Sequence, residues 1–532
     1  MLTAKEKLKE VIRGAVSCSE DFQILEPEVD KFGDYSTNVA FILAKREKKS
    51  PKEIAKRIKE ELNKKQDIFE KIEIASNGFI NLFLNKKWLH EKLEIILQEK
   101  ENYGKIKREK PLKVQVEFIS ANPTGPLHLG HGRNAFYGDV LARVLEYAGN
   151  NIQREFYVND AKRSTQVKEL GKTVLGRGNQ YKNAYLEKKT QKLEKRIKTI
   201  NDENEAGCFM VHEILTDIEK TVDKLGIKFD KWFSEQDLYN NNAKENLLEE
   251  FDKKGLIYKK DGALWLKTSK YGDDKDRVII RSSGDTTYFF SDILYHKNKI
   301  KRGFKKIIDI WGADHQGHEK KMQALMKILK FKGNLEIPII QMVRLKTNEG
   351  PQKMSKRAGT AVDLEWLIKE VGRDVVRFMM VSKDISTQMV FDLEAAKEKS
   401  EKNPVYYLQY ALVRCYSILR NSKIKTPCLP AGRQKSKIGY DLLKEKEELG
   451  LIKQLIKFPD LIKEVAQNYE VHRLTTYGIN LAKKLHQFYK NCQVIDEENK
   501  QLTIARLELI KATEIVFENL FDVLGIEKLE KM

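Results

Sequence analysis

Two histidines three positions apart, His128 and His131, stand in a turn containing Pro123, Gly125, Pro126, Gly130 and Gly132. An imidazole N–H can donate to a phosphoryl group. Ahead of the turn Val114, Val116 and Phe118 alternate with Gln115 and Glu117, the two-residue period of a strand. Behind it Phe136, Val140, Leu141, Val144, Leu145 and Ala148 recur at helical spacing and stop at Gly149, a natural C-cap. A glycine-bearing turn from strand to helix lets backbone approach a nucleotide and points a helix's positive end at phosphate. Gly130 leaves room there where a Cβ would intrude. Taken alone, the four letters His-Leu-Gly-His fit an ordinary βα turn more readily than a site.

A second segment changes that balance. Lys353-Met354-Ser355-Lys356-Arg357 follows the apolar strand candidate Ile339–Val343 and a polar loop with Gly350 and Pro351. Asp363 after it can cap a helix over Leu364–Val371. Two lysines in a loop make a cation pair able to neutralise charge building on a leaving pyrophosphate. The plain alternative is a solvated basic loop, common in so lysine-rich a chain.

Together the two segments resemble the paired signatures of class I aminoacyl-tRNA synthetases, and their surroundings resemble the arginyl-tRNA synthetases. Val116–Pro126 is similar to that family's entry into the first signature. Asp273–Val278 followed by Thr287–His296 is similar to its arginine-pocket segment. Lys31–Asn38 resembles its N-terminal module, and His472–Tyr477 with Phe488-Tyr489 its anticodon-binding module. The resemblance spans nearly the whole chain. It implies an α/β fold: a Rossmann-like parallel-sheet catalytic domain over 109–394, a small N-terminal α/β domain over 1–108 that contacts tRNA, and an all-α anticodon-binding bundle over 395–532. A helical insertion at about 162–227 departs from the family pattern, with Lys162 where glycine is usual.

The implied reaction joins arginine to tRNA in two steps. The arginine carboxylate attacks the α-phosphorus of ATP, and the terminal ribose of tRNA then displaces AMP. Neither step needs a protein nucleophile, so positioning and charge stabilisation must accelerate both. His128, His131, Lys353 and Lys356 are the expected catalytic residues; Gly130, Asn122, Ser355 and Gly312 are expected at ATP. Glu117, Ser120, Asn122, Tyr288, Asp292 and Asp314 are expected around arginine, whose planar guanidinium suits carboxylates. Tyr288 and Asp292, four apart, would share one helical face. Phe32, Tyr35, Tyr406, Tyr410 and Arg414 are expected at tRNA, although an aromatic stripe such as Tyr406–Tyr410 is more often core packing. The family implies Mg2+ carried with ATP, tRNA required for the first step, and a monomer.

Composition is compatible with all this. The 532 residues exceed one core, and 98 basic against 78 acidic residues leave +20, which favours a polyanionic partner. No apolar run approaches a membrane span. The charged start Met1–Lys7 lacks a secretory core. Cys18, Cys208, Cys415, Cys428 and Cys492 are dispersed, without zinc spacing, as expected of a cytoplasmic protein with no structural metal. The two histidines and aspartate of Trp311–His318 read as a substrate-binding turn rather than a metal site. A synthetase for another amino acid, or a silent tRNA-binding relative, are the rival readings.

Overall fold

The computed structural model of the chain describes residues 2–65, 67–162, 164–347, 350–352, 362–400, 402–422 and 439–532. They form two compact units, one from residues 108–399 and 470–472, the other from residues 1–107, 400–469 and 473–532.

The first unit is built on five parallel strands: β1 (Lys113–Glu117), β2 (Asn151–Val158), β3 (Lys231–Ser234), β4 (Lys306–Asp309) and β5 (Asn334–Glu336). Their spatial order is β5-β4-β1-β2-β3. Chain order reverses between β1 and β4, so the carboxyl ends of those two strands open the crevice where doubly wound sheets take ligands. As a central strand, β1 is covered on both faces. Val114 and Val116 are buried, and so is Gln115, which donates to Glu155 Oε1 at 2.6 Å.

Helix α1 (Leu129–Tyr147) follows β1, α2 (Tyr288–Lys301) precedes β4, and α3 (Glu319–Ile328) follows it. Gly138 brings α1 down onto the sheet: a Cβ there would lie 2.3 Å from Phe118 Cγ. Beyond the sheet, α4 (Leu364–Val371) and α5 (Arg373–Val381) pack against α1. Asp363 caps α4 by accepting from Trp366 N, as its position predicts. The expected strand over Ile339–Val343 is interrupted. Ile339–Ile340 and Val343–Thr347 pair separately, because the Gln341 carbonyl is taken by the Arg133 guanidinium at 3.0 Å.

The divergent region carries helices Thr165–Val174, Ala184–Lys192, Glu194–Ile197 and Glu203–Lys224. The first and last cross at Gly171 and Gly207, where a Cβ would fall within 2.0 Å of the opposite backbone.

The second unit joins the two ends of the chain. A four-stranded antiparallel sheet, in the order Ile24–Leu25, Tyr35–Thr37, Ile80–Leu84, Phe69–Ile74, packs with the helices of residues 4–99. Helices Pro404–Asn421, Lys446–Leu455, Phe458–Asn468, His472–Asn491 and Lys500–Leu524 follow. Lys5 binds both Glu26 at 2.9 Å and Glu464 at 2.7 Å, and Asn519 donates to the carbonyls of Lys100 and Tyr103. Within the charged run Glu99–Lys110, Tyr103 is buried and stacks on Phe458.

Candidate active site

The turn after β1 is strained. Ile119 and Ser120 adopt φ of +65° and +38°, a region that costs a β-branched residue about 1–3 kcal/mol. Neighbours hold it. Asn134 Oδ1 accepts from Ile119 N at 2.6 Å, and its Nδ2 donates to Ile310 O at 3.0 Å, joining the ends of β1 and β4. Ser120 Oγ donates to Glu117 Oε1 at 3.0 Å and accepts from Tyr157 N at 3.0 Å.

His128 is the N-cap of α1. Its Nδ1 accepts from Gly130 N at 3.1 Å, while His131 Nδ1 accepts from His128 N at 3.1 Å. A Cβ at Gly130 would meet the His128 ring at 3.0 Å, so any larger residue would press on the ring where it closes on the turn. Gly130 and Asn122 are exposed beside it. Two positions after His131, Arg133 is fully buried and donates to the carbonyls of Gln341, Asp384 and Thr387, anchoring the helix start.

Lys353, Ser355 and Lys356 lie outside the described residues. Their flanks are described. Gly350–Gln352 pairs with Val343–Thr347. On the other side Leu129 N donates to Val362 O at 2.9 Å, and Leu364 N to Leu127 O at 3.0 Å. The chain that follows the second signature, at Val362 and Leu364, is thus hydrogen-bonded to the turn of the first.

Asp292 sits on α2, half-buried, 3.6 Å from Lys321 on α3. Tyr288, one turn earlier, is 59% exposed. Ser291, beside Asp292, hydrogen-bonds Tyr239 at 2.7 Å. Glu235 bonds Ser291 and Tyr157; burial lifts its carboxyl above the ordinary range, and Asp160 and Asp292 add to that. Burial pushes the Tyr157 hydroxyl up, and the charges of Glu235, Asp292 and Glu117 add to that. Sequence reasoning missed Glu235 and Tyr157. Asp314 is exposed in the turn after β4, 3.4 Å from His315, and its Oδ1 lies 2.6 Å from where a Cβ on Gly312 would stand.

Glu117 is not a bare carboxylate. Asp309, Glu117 and Glu155 stand in register across β4, β1 and β2. Lys299, wholly buried on α2, binds Glu117 Oε2 and Asp309 Oδ1, each at 2.7 Å. Arg302 takes Glu155. His296 links Asp309 Oδ2 and the Asp292 carbonyl, both at 2.8 Å. Burial pushes the Glu117 carboxyl up while Lys299 pulls against it. Burial acts likewise on Asp309, but Lys299 and His296 prevail and hold it at about 2.

Asp273 and Asp276, in the segment expected near the arginine pocket, are committed locally: Asp273 grips Arg277 through two bonds, and Asp276 bonds Ser269 and Tyr258.

In the other unit, Phe32 is 43% exposed under the Lys31 ammonium, and Tyr410 is 40% exposed. Tyr406 is half-buried, and Arg414 stacks on and bonds Tyr489. Tyr35 must be corrected. Only 1% exposed, it is a core residue of the antiparallel sheet, with no ring face for a nucleic acid. Among the described residues no group of three or more His, Cys, Asp or Glu is arranged to hold a metal, and no helix is long and apolar enough to cross a membrane.

Comparison with known proteins adds the following. Residues 3–84 match the family described as the arginyl tRNA synthetase N terminal domain. Residues 92–170 and 177–402 match the class I (R) tRNA synthetase catalytic domain, and 408–532 the DALR anticodon binding domain. An arginine–tRNA ligase of Bacillus subtilis is 39% identical over 558 residues, covering 99% of each chain. One of Thermotoga petrophila is 39% identical over 550 residues, covering 100% of this chain and 99% of its own. The arginyl-tRNA synthetase of Thermus thermophilus superposes with a TM-score of 0.79 at 21% identity, covering 99% of this chain and all of its own. That of Plasmodium falciparum gives 0.77 at 20%, with full coverage of both. These two establish likeness of fold.

Proposed function

The chain belongs to the arginyl-tRNA synthetase family, and on that premise we propose that it activates L-arginine with ATP and transfers it to the 3′ ribose of its tRNA. The observation that carries the specificity is the excess of acid at the crevice. Asp292, Glu235, Glu117, Asp309 and Glu155 stand against Lys321, Lys299 and Arg302. A guanidinium supplies the missing positive charge and a planar fork to meet it. Lysine has the charge without the fork, and citrulline the shape without the charge.

ATP would lie over the exposed Gly130 turn, its α-phosphate near the α1 N-terminus. His128 and His131 would donate as the pentavalent phosphorus forms, and Lys353 and Lys356 would steady the departing pyrophosphate. Ser120 and Asn122 are assigned to the amino end of arginine, Tyr288 and Asp292 to its side chain, and the Gly312–Asp314 turn to the ribose side. Magnesium would enter with the nucleotide on phosphate oxygens, and no step is assigned to it. Phe32, Tyr406, Tyr410 and Arg414 remain the proposed tRNA contacts, suited to stacking and phosphate binding. The domain limits 1–108, 109–394 and 395–532, a monomer, and a cytoplasmic location belong to the same reading.

Aminoacylation of purified tRNA, run separately with each of the twenty amino acids, tests this. Charging by arginine alone is expected; charging by another amino acid, or by none, overturns the proposal.

A further inference from the structure

Among the residues behind the acidic pocket, Lys299 is the one whose burial calls for an explanation. Its side chain is 0% exposed, and a buried ammonium is retained only where anions repay its desolvation. It stands seven residues after Asp292, two turns along the same helix. Its ammonium touches Glu117 and Asp309 at 2.7 Å each and lies 4.1 Å from the Tyr295 ring centroid.

The three in-register carboxylates leave it a defined task. Arg302 is engaged with Glu155, which also accepts from Tyr295 and Gln115. Lys299 is therefore the ammonium that separates the charges of Glu117 and Asp309. Glu117, thus held by Oε2, uses Oε1 to accept from Ser120 Oγ, and that same hydroxyl receives Tyr157 N. One line of bonds runs from α2 through β1 into the strained turn that opens the signature helix.

We propose that Lys299 is a positioning residue for the arginine subsite: it keeps Glu117 ionised and aimed, and through Glu117 it fixes the Ser120 turn that the substrate meets. This rests on the arginine-activating reading above. Without the ammonium, two adjacent buried carboxylates cannot both stay ionised. One takes a proton, and the Glu117–Ser120 bond loses its orientation.

The test is Lys299→Met, nearly equal in volume, assayed with tRNA present for the KM of arginine and of ATP in pyrophosphate exchange, with circular dichroism to confirm folding. The arginine KM is expected to rise about 10–100-fold and the ATP KM to stay within about threefold. The double variant Lys299→Met/Asp309→Asn removes one carboxylate along with the ammonium. It should recover at least about tenfold in arginine KM, which a packing defect at Lys299 would not allow. An arginine KM near wild type in Lys299→Met, equal rises in both KM values, or a double variant no better than the single overturns the proposal. Should Lys299→Met not fold, the double is compared with wild type directly; an arginine KM within about tenfold supports the role and a larger rise rejects it. A wild-type protein that charges no arginine would sink the functional reading itself, whereas an arginine-charging wild type with an indifferent Lys299→Met sinks only the role of Lys299.

Discussion

The rings of His128 and His131 stack with centroids 3.7 Å apart and planes 22° from parallel, and each accepts a backbone N–H through Nδ1. In its neutral form each ring therefore carries its proton on Nε2. The two histidines cap α1 and, by the same bonds, set the tautomer that donates. A protonated Nδ1 would turn cap into repulsion. Capping through Nδ1 requires the neutral ring, and that same state carries on Nε2 the proton that phosphate donation uses.

His131→Ala removes a donor and one cap bond. Adenylate formation is expected to fall 10²–10³-fold, about 3–4 kcal/mol, while the ATP KM changes far less. Pyrophosphate exchange with tRNA present measures both; comparable losses in the two would remove the transition-state role.

Asp292→Ala should act on arginine rather than on ATP. Loss of one partner of a charged hydrogen bond costs about 2–3 kcal/mol, so the arginine KM should rise about 30–150-fold. Unchanged arginine kinetics would take Asp292 out of the pocket.

Asn134→Ala tests the strain at Ile119. The side chain holds Ile119 N at the end of β1 and Ile310 O beyond β4. Its removal leaves two buried backbone groups unmet, at about 1–3 kcal/mol each. A lower melting temperature together with a reduced kcat/KM for arginine is expected. A stable variant with full activity would show that the turn keeps its conformation unaided.

Much of this arrangement was legible in the residues. The strand before the signature, the helix after it and the Asp363 cap stand where alternation and helical spacing put them. The burial of Gln115 was not legible, because a central parallel strand buries both faces and accepts a polar side chain when a partner such as Glu155 is at hand. Tyr35 carried no mark of burial; only the packing of an antiparallel sheet decides it. Lys299 was illegible for a different reason. One lysine among many on a basic helix has no distinguishing neighbour in sequence, and of its two carboxylates Asp309 lies on the next strand while Glu117 comes from a strand 182 residues earlier.

The bundle carries a pH-sensitive carboxyl. Burial lifts Glu508 to about 7, with Lys511 pulling the other way. The folded chain binds this proton more tightly than the unfolded chain, whose carboxyl titrates at about 4.3. The contribution is thus complete below about 4.3 and lost as pH rises through 7. Glu508→Gln should remove that loss, raising stability at pH 8 relative to wild type by about 1–3 kcal/mol, with little change at pH 4. Thermal melts at the two pH values decide it; a parallel shift at both would place the effect in packing.

The splicing of the second unit from the two ends of the chain has a consequence for biosynthesis. Helix Lys86–Glu99 packs on Lys500–Leu524, and Asn519 closes the carbonyls of Lys100 and Tyr103. At about 5–20 residues per second, the ribosome takes roughly 20–80 s to travel from one helix to the other. Throughout that interval the nascent N-terminal segment waits with its docking face uncovered, while the nucleotide-binding sheet emerges and can fold ahead of it. A helix made after the sheet thus completes the packing of one made before it.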